Sequence, residues 1–322
     1  MSAAQNYADR SIAQGSQSFA AASRMFDEAT RRDVAKLYAW CRHCDDVIDG
    51  QALGHGQVSR AGTDAERLAD LEAGTRAALD GQPPNHPAFQ CLAEVAARHR
   101  IPAPYPLAHL DGFRMDVEER RFERLTDLMG YCYGVAGVVG IMMTHVMVGD
   151  AGREQPDFDD TLDRACDLGL AFQLTNIARD IVDDAREGRL YLPLEWLARE
   201  SIAPDAVALP EHRPALARFA RRLVEEAEPY YLSAHGGIAR LPFRAAWAVD
   251  AARGVYRAIG TQVVARGPSA WDTRTSTGKA AKLGHLMAGG FGALASRARS
   301  AGARPSGLWQ RPREEARQKR LG

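Results

Sequence analysis

Two segments carry carboxylates at spacings that suit chemistry. In Leu37-Tyr38-Ala39-Trp40-Cys41-Arg42-His43-Cys44-Asp45-Asp46-Val47-Ile48-Asp49, the residues Tyr38, Arg42, Asp45 and Asp49 fall on one narrow stripe of a helix with 3.6 residues per turn. Val34, Leu37, Cys41 and Ile48 flank it. In Phe172-Gln173-Leu174-Thr175-Asn176-Ile177-Ala178-Arg179-Asp180-Ile181-Val182-Asp183-Asp184, a similar stripe is made by Gln173, Asn176, Asp180 and Asp184, flanked by Leu170, Leu174, Ile177 and Ile181. Each polar stripe therefore borders an apolar face.

One acidic pair four residues apart usually marks a solvated helix surface. Two such stripes are harder to explain that way, because like charges at this spacing cost a few tenths of a kcal/mol on an exposed helix. Beside an apolar core the cost is larger unless cations compensate. Clustered carboxylates suit Mg²⁺, with Mn²⁺ as an alternative, since such ions take hard oxygen ligands and bridge to substrate phosphates. Asn176 and Gln173 add oxygen ligands without charge, and Arg42 and Arg179 offer bidentate contacts to phosphate. Facing each other across an apolar cavity, the two stripes suit a molecule with a diphosphate head and a hydrocarbon tail. The metal makes diphosphate a leaving group, and a dry cavity protects the allylic cation left behind. Tyr38, Phe19, Phe172, Tyr191 and Tyr256 are candidates for rings facing that cation, with ordinary core packing as the alternative.

The elements that must position these groups are helices. Helical periodicity runs from Ser2 to about Ser300, with no alternating run long enough for a sheet, so the expected class is all-α. Breaks rich in Gly, Pro or polar residues fall at Gly50–Thr63, Gly81–Pro87, Ile101–Pro106, Gly149–Asp157, Ala203–Pro214 and Arg266–Gly278. They read as loops within one domain covering residues 1–300. Residues 301–322 form a basic, Pro-interrupted tail expected to be solvated, with contact to anionic lipid as the other use. Tyr131–Val148 lacks Asp, Glu, Lys and Arg and just reaches spanning length. Gly134, Gly137, Gly140 and His145 dilute it, which favours a buried central helix whose glycines admit a close neighbour.

Composition bounds the alternatives. The 322-residue chain is 46% hydrophobic and 25% charged, an ordinary globular balance that argues against disorder or a multi-pass membrane protein. Lys plus Arg and Asp plus Glu are both 41, so no net field calls for a nucleic-acid partner. Five cysteines and no secretory leader point to a reducing compartment, and hence to the cytoplasm. The lone Cys41-x-x-Cys44 pair has no second pair at finger spacing and reads as two reduced core thiols.

Tyr38 to Asp49, Tyr131-Cys132-Tyr133-Gly134-Val135-Ala136-Gly137, and Ala171 to Asp184 followed by Gly188-Arg189-Leu190-Tyr191-Leu192-Pro193 resemble the head-to-head trans-isoprenyl diphosphate synthases, the squalene and phytoene synthases. The resemblance covers roughly Tyr7 to Ser300 and is nearest to the bacterial phytoene-forming branch. It implies a single-domain isoprenoid synthase fold that joins two geranylgeranyl diphosphates, through a cyclopropyl prephytoene diphosphate, to phytoene. No NADPH is expected. By motif match, Asp45, Asp49, Asp180 and Asp184 would hold Mg²⁺ with Asn176 assisting, and Arg42, Gln173 and Arg179 would position diphosphate. Ser16, Ser18 and Phe19 match the family's amino-terminal substrate-binding segment, and Tyr38, Tyr191 and Tyr256 match aromatic positions near the reacting carbons. Gln17 stands where many relatives carry a basic residue, which implies a looser diphosphate contact there.

The nearest alternative is dehydrosqualene or squalene formation from farnesyl diphosphate, which tunnel depth would decide. Head-to-tail elongation and terpene cyclisation are remote because their motif flanks differ. A non-catalytic assembly protein of the same fold would not need two complete carboxylate clusters. The greasy substrate and product make transient docking to a membrane surface, and contact with downstream carotenoid enzymes, further expectations.

Overall fold

The structure is a computed structural model that describes residues 2–15, 20, 22–51, 62–275, 278, 284–285, 287–290, 292–294 and 302–313. Among the described residues the ordered elements are helical, with no strand. In chain order they are α1 (Ala3–Gly15), α2 (Glu28–Ile48), α3 (Asp64–Leu79), α4 (Pro87–His99), α5 (Pro104–Val117), α6 (Leu125–Cys132), a π-helical turn (Tyr133–Gly137), α7 (Val138–Arg153), α8 (Phe158–Arg186), α9 (Leu194–Arg199), α10 (Arg213–Ile238) and α11 (Phe243–Arg266).

Local chemistry starts several of these helices. Asp27 caps α2 by accepting the Thr30 amide at 2.9 Å, and Thr63 with Glu66 forms a capping box on α3. Pro104 begins α5 from its first turn, where a missing N–H costs nothing, so the expected break at Ile101–Pro106 is shorter than its prolines suggest. The break at Gly149–Asp157 also moves, because α7 continues past a non-helical Gly149 to Arg153. The turn at residues 118–124 carries neither Gly nor Pro and has no composition signal. There the chain reverses through Glu119 at φ 48°.

Helix α8 is the axis of the molecule, packed along α10, α7, α11 and the π turn. Glycine permits the closest of these approaches. A Cβ at Gly140 would collide with the Ala165 carbonyl of α8, and one at Gly134 would stand 2.7 Å from Gly112 Cα of α5. The run Leu125–Arg153 is long and apolar enough to cross a membrane, yet 67% of its most apolar window is buried inside the fold.

Part of the basic segment past residue 300 lies against α8. Arg304 holds Asp167 through two bonds of 2.8 and 2.6 Å. Arg311 reaches Asp163 at 2.6 Å, and both Arg311 and Arg313 pair with Asp159. Trp309 packs on Tyr133 and its amide donates to the Tyr230 hydroxyl at 3.1 Å. The arginines in residues 302–313 thus meet carboxylates 137 to 154 positions away in the chain.

Candidate active site

A cavity of about 1140 Å³ runs between α2, α5, α7, α8 and α11. That exceeds the ~300–1,000 Å³ usual for small-ligand sites. Asp45 and Asp49 of α2 and Asp180 and Asp184 of α8 line it together with Tyr38, Arg42, Gln173, Asn176, Arg179, Tyr191 and Tyr256. Ser16, Ser18 and Phe19 lie outside the described residues. Their neighbours Gly15 and Ala22 are part of the cavity wall.

The first stripe sits where α2 ends. Val34, Leu37, Trp40, Cys44 and Val47 are buried, which turns Tyr38, Arg42, Asp45 and Asp49 to the edge of the core. Arg42 donates Nε to Asp46 Oδ1 at 2.8 Å and pairs with Asp45 Oδ2 at 2.7 Å. Asp46, only 5% exposed, thereby fixes the guanidinium from behind. Asp45 keeps 36% of its side chain exposed and lines the cavity. Burial first, then the nearby Asp49 and Asp46, pushes its carboxyl well above the usual range against the pull of Arg42. Cys41 and Cys44 are free thiols that burial holds protonated.

The second stripe sits near the carboxy-terminal end of α8. Arg179 donates Nε to Asp180 Oδ1 at 2.8 Å, and Arg274 stands 3.4 Å from the same carboxylate. The Asn176 amide donates weakly to Gln173 Oε1 at 3.4 Å, while Asn176 Oδ1 is buried without a hydrogen-bond partner. Among the described residues Asp184 alone of the four rim aspartates makes no ion pair. Burial, with Asp180 adding to it, lifts its carboxyl to about 8.

A third wall joins Tyr191, a candidate from sequence, to Arg189 and Asp116, which were not assigned. Gly188, at φ 82°, ends α8, and the Arg189 amide turns back to the Asp184 carbonyl at 2.8 Å. This turn aims Arg189 at Asp49, with which it forms an ion pair. The next residues place Tyr191 so that its hydroxyl donates to Asp116 Oδ1 at 2.8 Å, while Tyr131 donates to Asp116 Oδ2 at 3.2 Å. The two rings stack at 4.9 Å. Burial raises Asp116 to about 6, with both tyrosine hydrogen bonds opposing. The Gly188-Arg189 pair was a visible turn signal. Asp116, a single carboxylate on α5, had none. Beside Arg179 and Asp180, Tyr256 stacks on Phe172 at 4.1 Å, so these two candidate rings form one aromatic surface.

The arrangement is a polar mouth above an apolar interior. Four arginines, Arg42, Arg179, Arg189 and Arg274, stand among the rim carboxylates and line the cavity. Among the described residues no three His, Cys, Asp or Glu side chains converge into a ready-made metal cage. The oxygens are held apart on facing helices by arginine, an arrangement suited to ions that arrive with a phosphate between them.

Residues 12–281 match the squalene/phytoene synthase family. The chain belongs to that family. It is 54% identical over 308 residues to a 15-cis-phytoene synthase of Pantoea ananas, a match covering 95% of this chain and 97% of that one. A 15-cis-phytoene synthase of a Paracoccus species is 49% identical, over 94% of this chain and 95% of its own length. A solved dehydrosqualene synthase superposes with a TM-score of 0.76 at 27% identity, covering 89% of this chain and 95% of that chain. This squalene/phytoene synthase family member thus has the all-α class expected from its helical periodicity and the isoprenoid synthase fold implied by the motif resemblance.

Proposed function

We propose that the protein is a Mg²⁺-dependent phytoene synthase that joins two geranylgeranyl diphosphates head to head, with residues 1–300 as its catalytic unit. The observation that carries this reading is the pairing of acidic edges on both α2 and α8 above one long apolar cavity, in a chain 54% identical to a 15-cis-phytoene synthase. The donor set fits a hard divalent cation. Among the described residues Asp184 makes no ion pair and Asn176 Oδ1 has no hydrogen-bond partner, and Asp45 and Asp184 are held toward the protonated form by burial, a cost that an added cation relieves. Asp45 and Asp49 would hold one side of the diphosphate-bound metal cluster and Asp180, Asp184 and Asn176 the other. When bound, Mg²⁺ draws charge from the diphosphate and makes it a better leaving group.

The chain's own groups supply the rest. Arg42, Arg179, Arg189 and Arg274 release their aspartates and take up the phosphate oxygens. Gln173 orients the head group. Tyr38, Tyr191 and the stacked Phe172 and Tyr256 give the cation aromatic faces and keep water away. Bookkeeping of the reaction is closed without a reductant: two diphosphates leave with their bonding pairs and two protons leave carbon. NADPH is therefore not expected.

Incubation with Mg²⁺ and the twenty-carbon or fifteen-carbon diphosphate, without NADPH, followed by mass spectrometry of the extracted hydrocarbon, tests the reading. Phytoene from the twenty-carbon substrate supports it. A thirty-carbon product from the fifteen-carbon substrate alone favours dehydrosqualene synthesis, the reading that the 27% identical dehydrosqualene synthase structure keeps in view. The same proposal puts the enzyme in the cytoplasm, touching membrane surfaces where greasy product and downstream carotenoid enzymes meet it. Flotation with liposomes tests that, and fully soluble protein at low salt counts against it.

A further inference from the structure

His109 sits on α5, 3% exposed, two helical turns before Asp116 on the same face and therefore roughly 10 Å below the rim. Its Nδ1 lies 3.0 Å from the Gly134 carbonyl in the π-helical turn. A carbonyl only accepts, so Nδ1 carries the hydrogen and Nε2 carries the lone pair. That Nε2 is buried and has no hydrogen-bond partner, while the residue forms part of the cavity wall. The ring cannot swing freely. Phe113 packs edge-on at 4.8 Å, Trp40 lies at 5.5 Å, and the contact of Gly112 with Gly134 presses α5 against the carbonyl that fixes the tautomer. Burial lowers the imidazole to about 4, so it is neutral at working pH.

Phytoene formation must lose a proton from carbon after the second diphosphate has left. By then the forty-carbon cation is no longer tethered at the rim and lies along the apolar interior. Below the rim aspartates, the other polar groups on the wall are poor proton acceptors: hydroxyls of Tyr38, Tyr131, Tyr191 and Tyr256, the amides of Gln173 and Asn176, and arginines, while both oxygens of the Asp116 carboxylate already accept from the Tyr191 and Tyr131 hydroxyls. We propose that His109 is a catalytic base of the final elimination, its bare Nε2 taking the proton whose C–H bonding pair becomes the central double bond. The imidazolium so formed keeps its Nδ1–H on Gly134 and gives the new proton up to water when the hydrocarbon leaves the cavity. A buried imidazolium costs free energy, but the carbocation it replaces is a far stronger acid, so the transfer runs downhill.

The inference rests on the prenyl-transfer reading, and the experiment separates the two. His109→Asn keeps an N–H at the Nδ1 position for Gly134 and removes the Nε2 base, while His109→Phe removes both. With wild type, His109→Asn and His109→Phe side by side, the ratio of forty-carbon alcohols, formed when water captures the cation, to hydrocarbon is read by mass spectrometry. We expect that ratio to rise by roughly 100-fold or more in both variants, the scale of general-base loss. Hydrocarbon as the sole product of either folded variant, however slow, overturns the assignment and leaves diphosphate as the base. No hydrocarbon from wild type would instead sink the prenyl-transfer reading. Nitrogen-15 NMR of wild-type protein gives a check that no variant can spoil: His109 Nε2 must be the bare nitrogen at neutral pH, and a protonated Nε2 overturns the proposal.

Discussion

Helix α8 carries two acidic ladders that look alike in sequence and behave differently in the fold. Near its start, Asp159, Asp163 and Asp167 recur every four residues, and each is matched by arginines of the segment 302–313. Asp160 beside them is held by Arg164 at 2.8 Å and by Arg240, and these bonds outweigh burial and lower its carboxyl. Near its end, Asp180 and Asp184 also stand four apart; Arg179 and Arg274 hold Asp180, but among the described residues Asp184 makes no ion pair, and burial outweighs the pull of Arg189 and Arg179 so that its carboxyl rises to about 8. The helix dipole sharpens the contrast, since carboxylates are favoured at the amino end and disfavoured at the carboxy end. Compensated carboxylates staple a structure, and uncompensated ones wait for a cation. Spacing alone does not separate the two.

Breaking the second ladder should have the largest effect. Asp184→Ala is expected to cut product formation on the order of 10³-fold, the upper scale for losing one preorganised electrostatic group. Thermal melts of the metal-free variant should be unchanged or higher, because the cost of burying the Asp184 carboxyl beside Asp180 has gone. A variant that loses both activity and stability would make that aspartate structural.

Breaking the first ladder should do the reverse. Asp167 is fully buried beneath Arg304, so Asp167→Ala leaves a guanidinium without its partner and should cost about 3 kcal/mol in denaturant unfolding. A loss under about 1 kcal/mol would show that the segment 302–313 is not a staple.

Titration should report the bare Asp184 without mutation, on top of a contribution of the same sign from Asp167, which burial raises despite Arg304. Asp184 sits at about 8 in the fold but at about 3.9 in an unfolded chain. The folded protein therefore holds this proton longer, and metal-free stability should fall as pH rises between those values. Asp116, at about 6, acts in the same sense over a narrower window. Melting temperatures recorded in chelator should decline across that range, and saturating Mg²⁺ should flatten the decline. A metal-free curve that rises would contradict the uncompensated state of the rim.

The smallest effect belongs to Arg313→Ala. Arg313 is half-exposed and shares its aspartates with buried Arg311, so its loss should cost under about 1 kcal/mol. A larger loss would mean that the outer arginine carries the staple.

Much of the site was legible because its clues are local. Tyr38, Arg42, Asp45 and Asp49, like Gln173, Asn176, Asp180 and Asp184, share a helical face that can be counted off a 3.6-residue period, and all of them line the cavity. Asp116, Arg189 and His109 were not assigned, because their meaning lies in what they touch. Arg189 finds Asp49 across 140 residues, and Tyr191 finds Asp116 across 75. The basic segment past residue 300 read as a solvated charge run for the same reason, since its acidic counterpart is more than a hundred residues away.

The sequence by itself therefore determined the all-helical class, the two acidic stripes and the family, since periodicity, capping and motif flanks are properties of neighbouring residues. Tertiary structure alone decided which carboxylates are neutralised and which stay bare, where Gly112 meets Gly134, and that one nitrogen of the cavity-wall imidazole is buried without a hydrogen-bond partner among the described residues. Burial and partner choice depend on how distant helices pack, and those contacts set the charge state of each group.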